Sequence, residues 1–102
     1  MSINDQINEQ LNKDNIVLYM KGERMMPMCG FSATVVDILS RYPVEFKTYN
    51  ILADDDLRQG LKVYSDWPTY PQLYVKGELI GGCDIIQELH QSGELEKILT
   101  EA

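Results

Sequence analysis

The stretch from Ile16 to Ser32 reads IVLYMKGERMMPMCGFS and contains the clearest fold signal in the chain. Its first five residues form an unbroken apolar run that begins with two β-branched residues, which is typical of a strand buried on both faces. An irregular segment with Gly22 and Pro27 follows. A helical pattern begins at Cys29, so the stretch predicts a strand, a loop and a helix with a cysteine at its start.

The segments on either side of this stretch also have periodic patterns. An apolar stripe at residues 3, 7 and 11 predicts a first helix, with Ser2 or Asn4 as its cap. The helix that begins at Cys29 is expected to end near residues 42–43. Residues 44–51 alternate imperfectly between apolar and polar side chains and predict a second strand. The three aspartates at 54–56 suit the positive end of a helix dipole and predict a third helix.

The last third of the chain predicts a β-hairpin followed by a helix. Residues 73–75 and 78–80 flank a Lys76-Gly77 turn. Asp84, with a glutamine three residues later, predicts an N-cap and a capping box, and Gly93 ends that helix before a short final turn. The predicted order is α-β-α-β-α-β-β-α with room for one more helix. It corresponds to an α/β fold with a mixed four-stranded sheet and helices on both faces.

Length and composition exclude several classes of protein. The chain has 102 residues, 44% of them hydrophobic, which predicts one domain over residues 1–102. Sixteen acidic against nine basic residues give a net charge of −7, so nucleic acids and anionic membranes are poor partners. No apolar stretch reaches the roughly 18–20 residues of a membrane helix. The first residues resemble neither a secretory signal nor a transit peptide, so we expect a cytoplasmic protein.

The two cysteines are the chain's candidates for reactive side chains. With His90 as the single histidine, Cys29 and Cys83 are too few to complete a four-ligand metal site in one chain. Cys29 is either a small buried hydrophobe or a functional thiol. Its place at a helix start, with Lys21 and Arg24 in the preceding loop, favours a lowered thiol pKa and the functional interpretation.

Two further segments allow both a structural and a functional interpretation. Thr69-Tyr70-Pro71 is either an ordinary tight turn or a cis-proline turn that leaves backbone groups free for a ligand. Gly81-Gly82-Cys83-Asp84 is either a plain strand-to-helix turn or a binding site for an α-amino acid head group. In the second case the glycines admit a ligand to the backbone and the Asp84 carboxylate pairs with its amine.

Together these residues resemble the monothiol glutaredoxins of the C-G-F-S class. The matching motifs, in chain order, are Lys21-Gly22, Pro27-Met28-Cys29-Gly30-Phe31-Ser32, Trp67-Pro68-Thr69-Tyr70-Pro71-Gln72-Leu73-Tyr74 and Gly81-Gly82-Cys83-Asp84-Ile85. The resemblance covers nearly the whole chain, and the combination of all four motifs at these spacings is highly specific. It implies a thioredoxin-like fold and glutathione as the ligand. Ser32 occupies the position that a second cysteine would have in a dithiol motif.

The resemblance also implies roles for individual residues. Lys21, with Arg58 on the third helix, would pair with the glycine carboxylate of glutathione. Tyr70 would pair through its backbone with the cysteinyl unit. Cys83 and Asp84 would hold the γ-glutamyl head, through an amide N–H and a carboxylate respectively. Whether the Cys83 thiol itself takes part in redox chemistry stays open.

A role with iron–sulfur clusters is the third implication. A 2Fe–2S cluster usually takes four thiolate ligands. Cys29 from each of two chains and two glutathiones would supply them, in a cluster-bridged homodimer that delivers clusters to client apoproteins and pairs with BolA-like proteins. The alternative is an enzyme, a weak glutathione-dependent oxidoreductase with Cys29 as its nucleophile. A thioredoxin-fold adaptor with an inert Cys29 is the remaining possibility.

Overall fold

The elements follow the predicted order, with one small hairpin added between the first strand and the second helix. The computed structural model describes residues 2–101. Within that range the helices are α1 (Ile3–Lys13), α2 (Gly30–Leu39), α3 (Asp55–Ser65), α4 (Cys83–Ser92) and α5 (Glu94–Thr100). The strands are β1 (Ile16–Met20), β2 (Gly22–Glu23), β3 (Met26–Pro27), β4 (Lys47–Asn50), β5 (Gln72–Val75) and β6 (Glu78–Gly81).

The main sheet has the strand order β4-β1-β5-β6. β1 runs parallel to β4 and antiparallel to β5, and β5 and β6 form the predicted hairpin. All five residues of β1 are buried, as the continuous apolar run predicts. The mixed four-stranded sheet of a thioredoxin-like fold is therefore confirmed, and β1 connects its parallel and antiparallel halves.

Alternate residues of β1 point into two separate apolar clusters, one on each face of the sheet. The larger cluster packs α2, α4 and α5 against the sheet, and the other packs α1 and α3. The larger cluster contains Ile16, Leu18, Met20, Val35, Ile38, Leu39, Phe46, Leu73, Val75, Ile86, Leu95 and Leu99. The smaller contains Ile7, Leu11, Val17, Tyr19, Ile51, Leu57, Leu61, Tyr70 and Tyr74.

The helix starts confirm one predicted cap, add one that was not predicted, and correct another. The Ser2 hydroxyl caps α1, and the Asp54 carboxylate caps α3 by accepting the Leu57 N–H across 3.1 Å. The N-cap of α4 is Gly82, which has no side chain for the role. Asp84 lies one residue past the helix start, so the prediction that it caps α4 is wrong. Its carboxylate still lies in the first turn, near the positive end of the helix dipole.

Two predicted boundaries are also corrected. The strand expected over residues 44–51 is limited to 47–50, because its partner β1 begins at Ile16 and their paired register starts at Val17 and Lys47. The second helix ends at Leu39, and the next residues up to Tyr42 continue as a tighter turn. No helix within residues 2–101 is long and apolar enough to cross a membrane.

Candidate functional site

Cys29 is the N-cap residue of α2, with extended backbone and no side-chain capping bond. Its thiol is half-buried, and its pKa lies below the usual range for cysteine. The main cause is hydrogen bonding from the backbone N–H of Ser32, which outweighs partial burial; the N–H of Phe31 and the positive charge of Lys21 add to it. The helix start therefore favours the thiolate, which is the nucleophilic and metal-binding form of the side chain.

The loop before Cys29 is a small hairpin, where the sequence predicts only irregular chain. β2 and β3 pair across a turn at residues 24–25, and the Met28 N–H donates to the Lys21 carbonyl across 2.9 Å. Gly22 has φ +93° and lies against the opposite strand, where a Cβ would be 2.5 Å from the Met28 nitrogen. Only glycine fits where the two strands of the hairpin approach each other this closely. The Gly22 N–H also donates to the Asn50 side chain, which ties the hairpin to the end of β4.

The Arg24 side chain contacts Phe46, and its charge is not among the causes of the lowered Cys29 pKa. Its guanidinium carbon lies 3.9 Å from the centre of the Phe46 ring, and its Nη1 donates to the Phe46 carbonyl across 3.3 Å. The prediction that Arg24 adds positive charge beside Cys29 is therefore wrong, and Lys21 alone has that role among the loop's bases. Arg24 instead anchors the hairpin through a cation–π contact.

A cleft of about 200 Å³ lies beside the thiol. The Tyr70–Pro71 peptide bond on its wall is cis, as one of the two interpretations of this turn predicts, and the pairing of its backbone with a ligand stays a prediction. A second cleft of about 430 Å³ contains Cys29 itself and shares Phe31 and Cys83 with the first. The two clefts form a groove that leads from the Cys29 thiol to the start of α4. The first cleft is lined by Phe31, Trp67, Thr69, Tyr70, Pro71, Gly82, Cys83, Asp84 and Ile85.

The structure gathers most of the predicted site residues around this groove. Cys29, Tyr70, Cys83 and Asp84 line it, and Lys21 lies near enough to act on the Cys29 thiol. Arg58 lines neither cleft. It is half-buried on α3, where its carbonyl accepts a hydrogen bond from the Tyr70 hydroxyl. Its role toward a ligand carboxylate stays a prediction.

Two aromatic residues of the groove had no role assigned to them from the sequence. Phe31 lies in both clefts and exposes 62% of its surface. The buried Trp67 indole nitrogen lacks a hydrogen-bond partner and lies 3.4 Å from where a Cβ on Gly82 would be. Any larger residue at 82 would press against this ring and against the Pro71 carbonyl, at 3.3 Å. Phe31 could have been found from its place inside the cysteine motif.

Cys83 has the opposite electrostatic environment to Cys29. Burial raises the pKa of the Cys83 thiol, and the negative charges of Asp84 and Cys29 raise it further. The groove thus contains one thiol with a lowered pKa and one with a raised pKa, and both cysteines are free. Within residues 2–101 no three His, Cys, Asp or Glu side chains gather to hold a metal ion.

An activated thiol at a helix start, in a groove whose lining also contains a proline, defines a thiol-dependent protein of the thioredoxin-like fold. The profile of the glutaredoxin family matches residues 16–80. A relative from Rickettsia typhi, "Probable monothiol glutaredoxin 2", is 57% identical over 93% of this chain and 86% of its own length. The chain belongs to the glutaredoxin family, and within it to the monothiol class.

Solved structures of glutaredoxins have the same fold as this chain. The solution structure of reduced poplar apo GrxS14 is 46% identical and has a TM-score of 0.85 over 97% of this chain and 91% of that one. A buckwheat glutaredoxin–glutathione complex has a TM-score of 0.82 over 97% of this chain and 91% of that one. At 23% identity it supports the fold alone.

Proposed function

We propose that this protein binds glutathione in the groove beside Cys29 and, as a homodimer, carries a 2Fe–2S cluster to client apoproteins. The observation that carries the proposal is the Cys29 thiol itself. It is half-exposed, its pKa is lowered, and it lies at one end of a groove whose other end contains a carboxylate, Asp84. A small thiol with an amino group at one end fits that arrangement.

Residues in the groove and beside it would contact each part of glutathione. The backbone of Tyr70 would pair with the cysteinyl unit and bring its sulfur toward Cys29. The Cys83 amide and the Asp84 carboxylate would hold the zwitterionic γ-glutamyl head, supported by the start of α4. Lys21, with Arg58, would pair with the glycine carboxylate. Membership of the glutaredoxin family supports this choice of ligand.

The number of thiolates supports a shared cluster. A 2Fe–2S cluster usually takes four. Cys29 is the one cysteine of this chain with a lowered thiol pKa, since that of Cys83 is raised. Two copies of Cys29 and two glutathiones complete the set. Because half of the ligands are then exchangeable small molecules, the cluster is cargo that can leave for a client or for a mixed complex with a BolA-like protein.

Anaerobic reconstitution with iron, sulfide and glutathione tests this function. We expect visible charge-transfer absorption and a mass that doubles on cluster loading, with the apoprotein monomeric. Cys29→Ser should keep the far-ultraviolet circular dichroism and lose the absorption. Normal loading of Cys29→Ser, or equal loading when no small thiol is added, contradicts the ligand assignment.

The same thiolate also supports a second function, removal of glutathione from mixed disulfides. Cys29 would attack the glutathione sulfur of the substrate and release the substrate thiol, and a second glutathione would regenerate Cys29 as oxidised glutathione leaves. Turnover of a glutathionylated peptide by the cluster-free protein measures this activity.

Both cysteines are free thiols, which suits a reducing compartment, and we propose the cytoplasm.

A further inference from the structure

The residue that follows the cis-proline has a polar side chain buried in the core. Gln72 is the first residue of β5, its backbone pairs with Tyr19 of the central strand β1, and it has no exposed surface. A buried polar group costs free energy unless it is hydrogen-bonded. An apolar side chain would avoid that cost, so the role of this amide lies in the bonds that it makes.

Every hydrogen-bonding group of the Gln72 amide has a partner. The amide nitrogen donates to the Trp67 carbonyl across 3.0 Å and to the Thr69 carbonyl across 3.2 Å. The amide oxygen accepts from the Tyr74 hydroxyl across 3.0 Å. Because carbonyl oxygens only accept, the nitrogen of the amide must face the turn and its oxygen must face Tyr74.

The two carbonyls belong to the turn that forms one wall of the first cleft. In the described turns and loops, no backbone N–H donates to the Trp67 or the Thr69 carbonyl. The turn itself has few donors to offer, since Pro68 and Pro71 lack a backbone N–H. Gln72 supplies the missing donors from the neighbouring strand and so ties the turn to the sheet.

A neutral amide suits this position better than a charged side chain. It directs two N–H donors at two carbonyls and brings no charge into the core. A carboxylate at the same place would set a negative oxygen against two carbonyl oxygens, and an ammonium group would be buried without a counter-charge. The position therefore favours glutamine over a charged residue of similar length.

We propose that Gln72 is a positioning residue of the glutathione site, whose amide holds the turn over residues 67–71 where the Tyr70 backbone can pair with the ligand. Gln72 lines neither cleft, so it acts through the turn and does not touch the ligand. The proposal rests on the proposed function, because it assumes that glutathione lies against this turn. It adds to that function a buried residue on which the ligand's affinity depends.

Glutathione affinity in two matched variants tests the role. Gln72→Met and Tyr74→Phe both remove the buried bond between the amide oxygen and the hydroxyl, and both should lower the free energy of unfolding. Only Gln72→Met also removes the two bonds to the turn. By calorimetry we expect Gln72→Met to bind glutathione at least about tenfold more weakly than Tyr74→Phe, a shift of about 1.4 kcal/mol. Equal affinities in the two variants overturn the proposal.

The fluorescence of Trp67 reports on the turn without any ligand. Trp67 is the single tryptophan of the chain and is half-buried, so its emission maximum depends on how the turn is placed. The maximum should move in Gln72→Met and stay in place in Tyr74→Phe. An unmoved maximum in Gln72→Met contradicts the positioning role. If the unsubstituted protein binds no glutathione, the proposed function fails, and the emission still decides whether Gln72 holds the turn.

Hydrogen exchange at the Gln72 side-chain amide tests the same bonds in the unsubstituted protein. Its two protons should exchange much more slowly than those of the exposed Gln59 and Gln91. Added glutathione should shift the Gln72 amide signals, because the ligand contacts the turn to which they bond, and should leave those of Gln59 in place. Exchange as fast as at Gln59 and Gln91, or unshifted Gln72 signals with glutathione bound, overturns the proposal even if Gln72→Met does not fold.

Discussion

The hydroxyl oxygen of Ser32 accepts a hydrogen bond from the backbone N–H of Lys21 across 3.1 Å. Ser32 is completely buried in the first turn of α2, and Lys21 directly follows β1. The bond therefore fixes the start of α2 against the end of the central strand. The Ser32 N–H is also the main cause of the lowered Cys29 pKa. At the position where a dithiol motif has its second sulfur, this chain has a residue that positions the first one.

Ser32→Ala tests the structural half of this role. The substitution leaves the Lys21 N–H without its partner in a partly buried place, which should cost about 1–3 kcal/mol of unfolding free energy. Urea unfolding measures the cost. Ser40→Ala is the matched control, because its hydroxyl bonds to the Val36 carbonyl in an exposed position and should change stability by less than about 0.5 kcal/mol. Equal effects from the two substitutions contradict the assignment.

The two thiols should differ in their dependence on pH. The pKa of Cys29 is lowered, chiefly by the Ser32 N–H, so its thiolate persists as the pH falls below the usual cysteine range. Burial raises the pKa of Cys83, so its thiolate forms only at higher pH. Alkylation rates with iodoacetamide, followed residue by residue by mass spectrometry, should therefore rise at lower pH for Cys29 than for Cys83. Coinciding profiles, or the reverse order, contradict the geometry.

The proposed glutathione contacts can be tested by removing one charge at a time. Lys21→Ala and Asp84→Ala should each weaken glutathione binding roughly tenfold, about 1.4 kcal/mol. The reason is that a charge-assisted hydrogen bond in a formed pocket contributes more free energy than an exposed ion pair does. Calorimetry measures the affinity. Lys62→Ala on α3 and Glu88→Ala on α4 remove the same charges outside the groove lining and should have little effect. Unchanged affinity in both Lys21→Ala and Asp84→Ala rules out this orientation of the ligand.

The main features of the fold could be predicted from the sequence because the strongest patterns are also the most buried. The run at residues 16–20 is apolar throughout and lies at the centre of the sheet. The boundaries could not be predicted in the same way. β4 stops pairing at the point where its partner β1 ends, so its boundary depends on β1 and not on its own residues. Gly82 is the N-cap of α4 because the helix begins at Cys83, one residue before Asp84, whose carboxylate would have suited the role.

The site was partly predictable for a related reason. A helix that starts at Cys29 implies an activated thiol from local chemistry alone, and the structure agrees. The direction of Arg24 depends on Phe46, which lies 22 residues further along the chain. The sequence offers no local signal for that contact. The β2–β3 hairpin could not be predicted from the sequence either, because each strand has only two residues and shows no recognisable periodicity.

The last prediction concerns a disulfide between Cys29 and Cys83. The two residues are 54 positions apart, yet both line the same cleft, and the charge of one raises the pKa of the other. Oxidised glutathione should first react with the Cys29 thiolate, which forms a mixed disulfide and releases one glutathione thiolate. The Cys83 thiolate then attacks the Cys29 sulfur and releases the second glutathione, so that one disulfide is reduced and one is formed.

The raised pKa of Cys83 makes that second step depend on pH. Since only the thiolate attacks, closure of the Cys29–Cys83 disulfide should accelerate as the pH rises toward the Cys83 pKa, while the mixed disulfide already forms at lower pH. The cross-link also requires the two Cα atoms to come within about 7 Å. Peptide mapping of the oxidised apoprotein, with Cys83→Ser held at the mixed disulfide as the control, measures the product. If only Cys29–glutathione adducts form at every pH, then Cys83 contributes its amide and not its thiol. A bound cluster should protect against the cross-link, because it occupies the Cys29 sulfur.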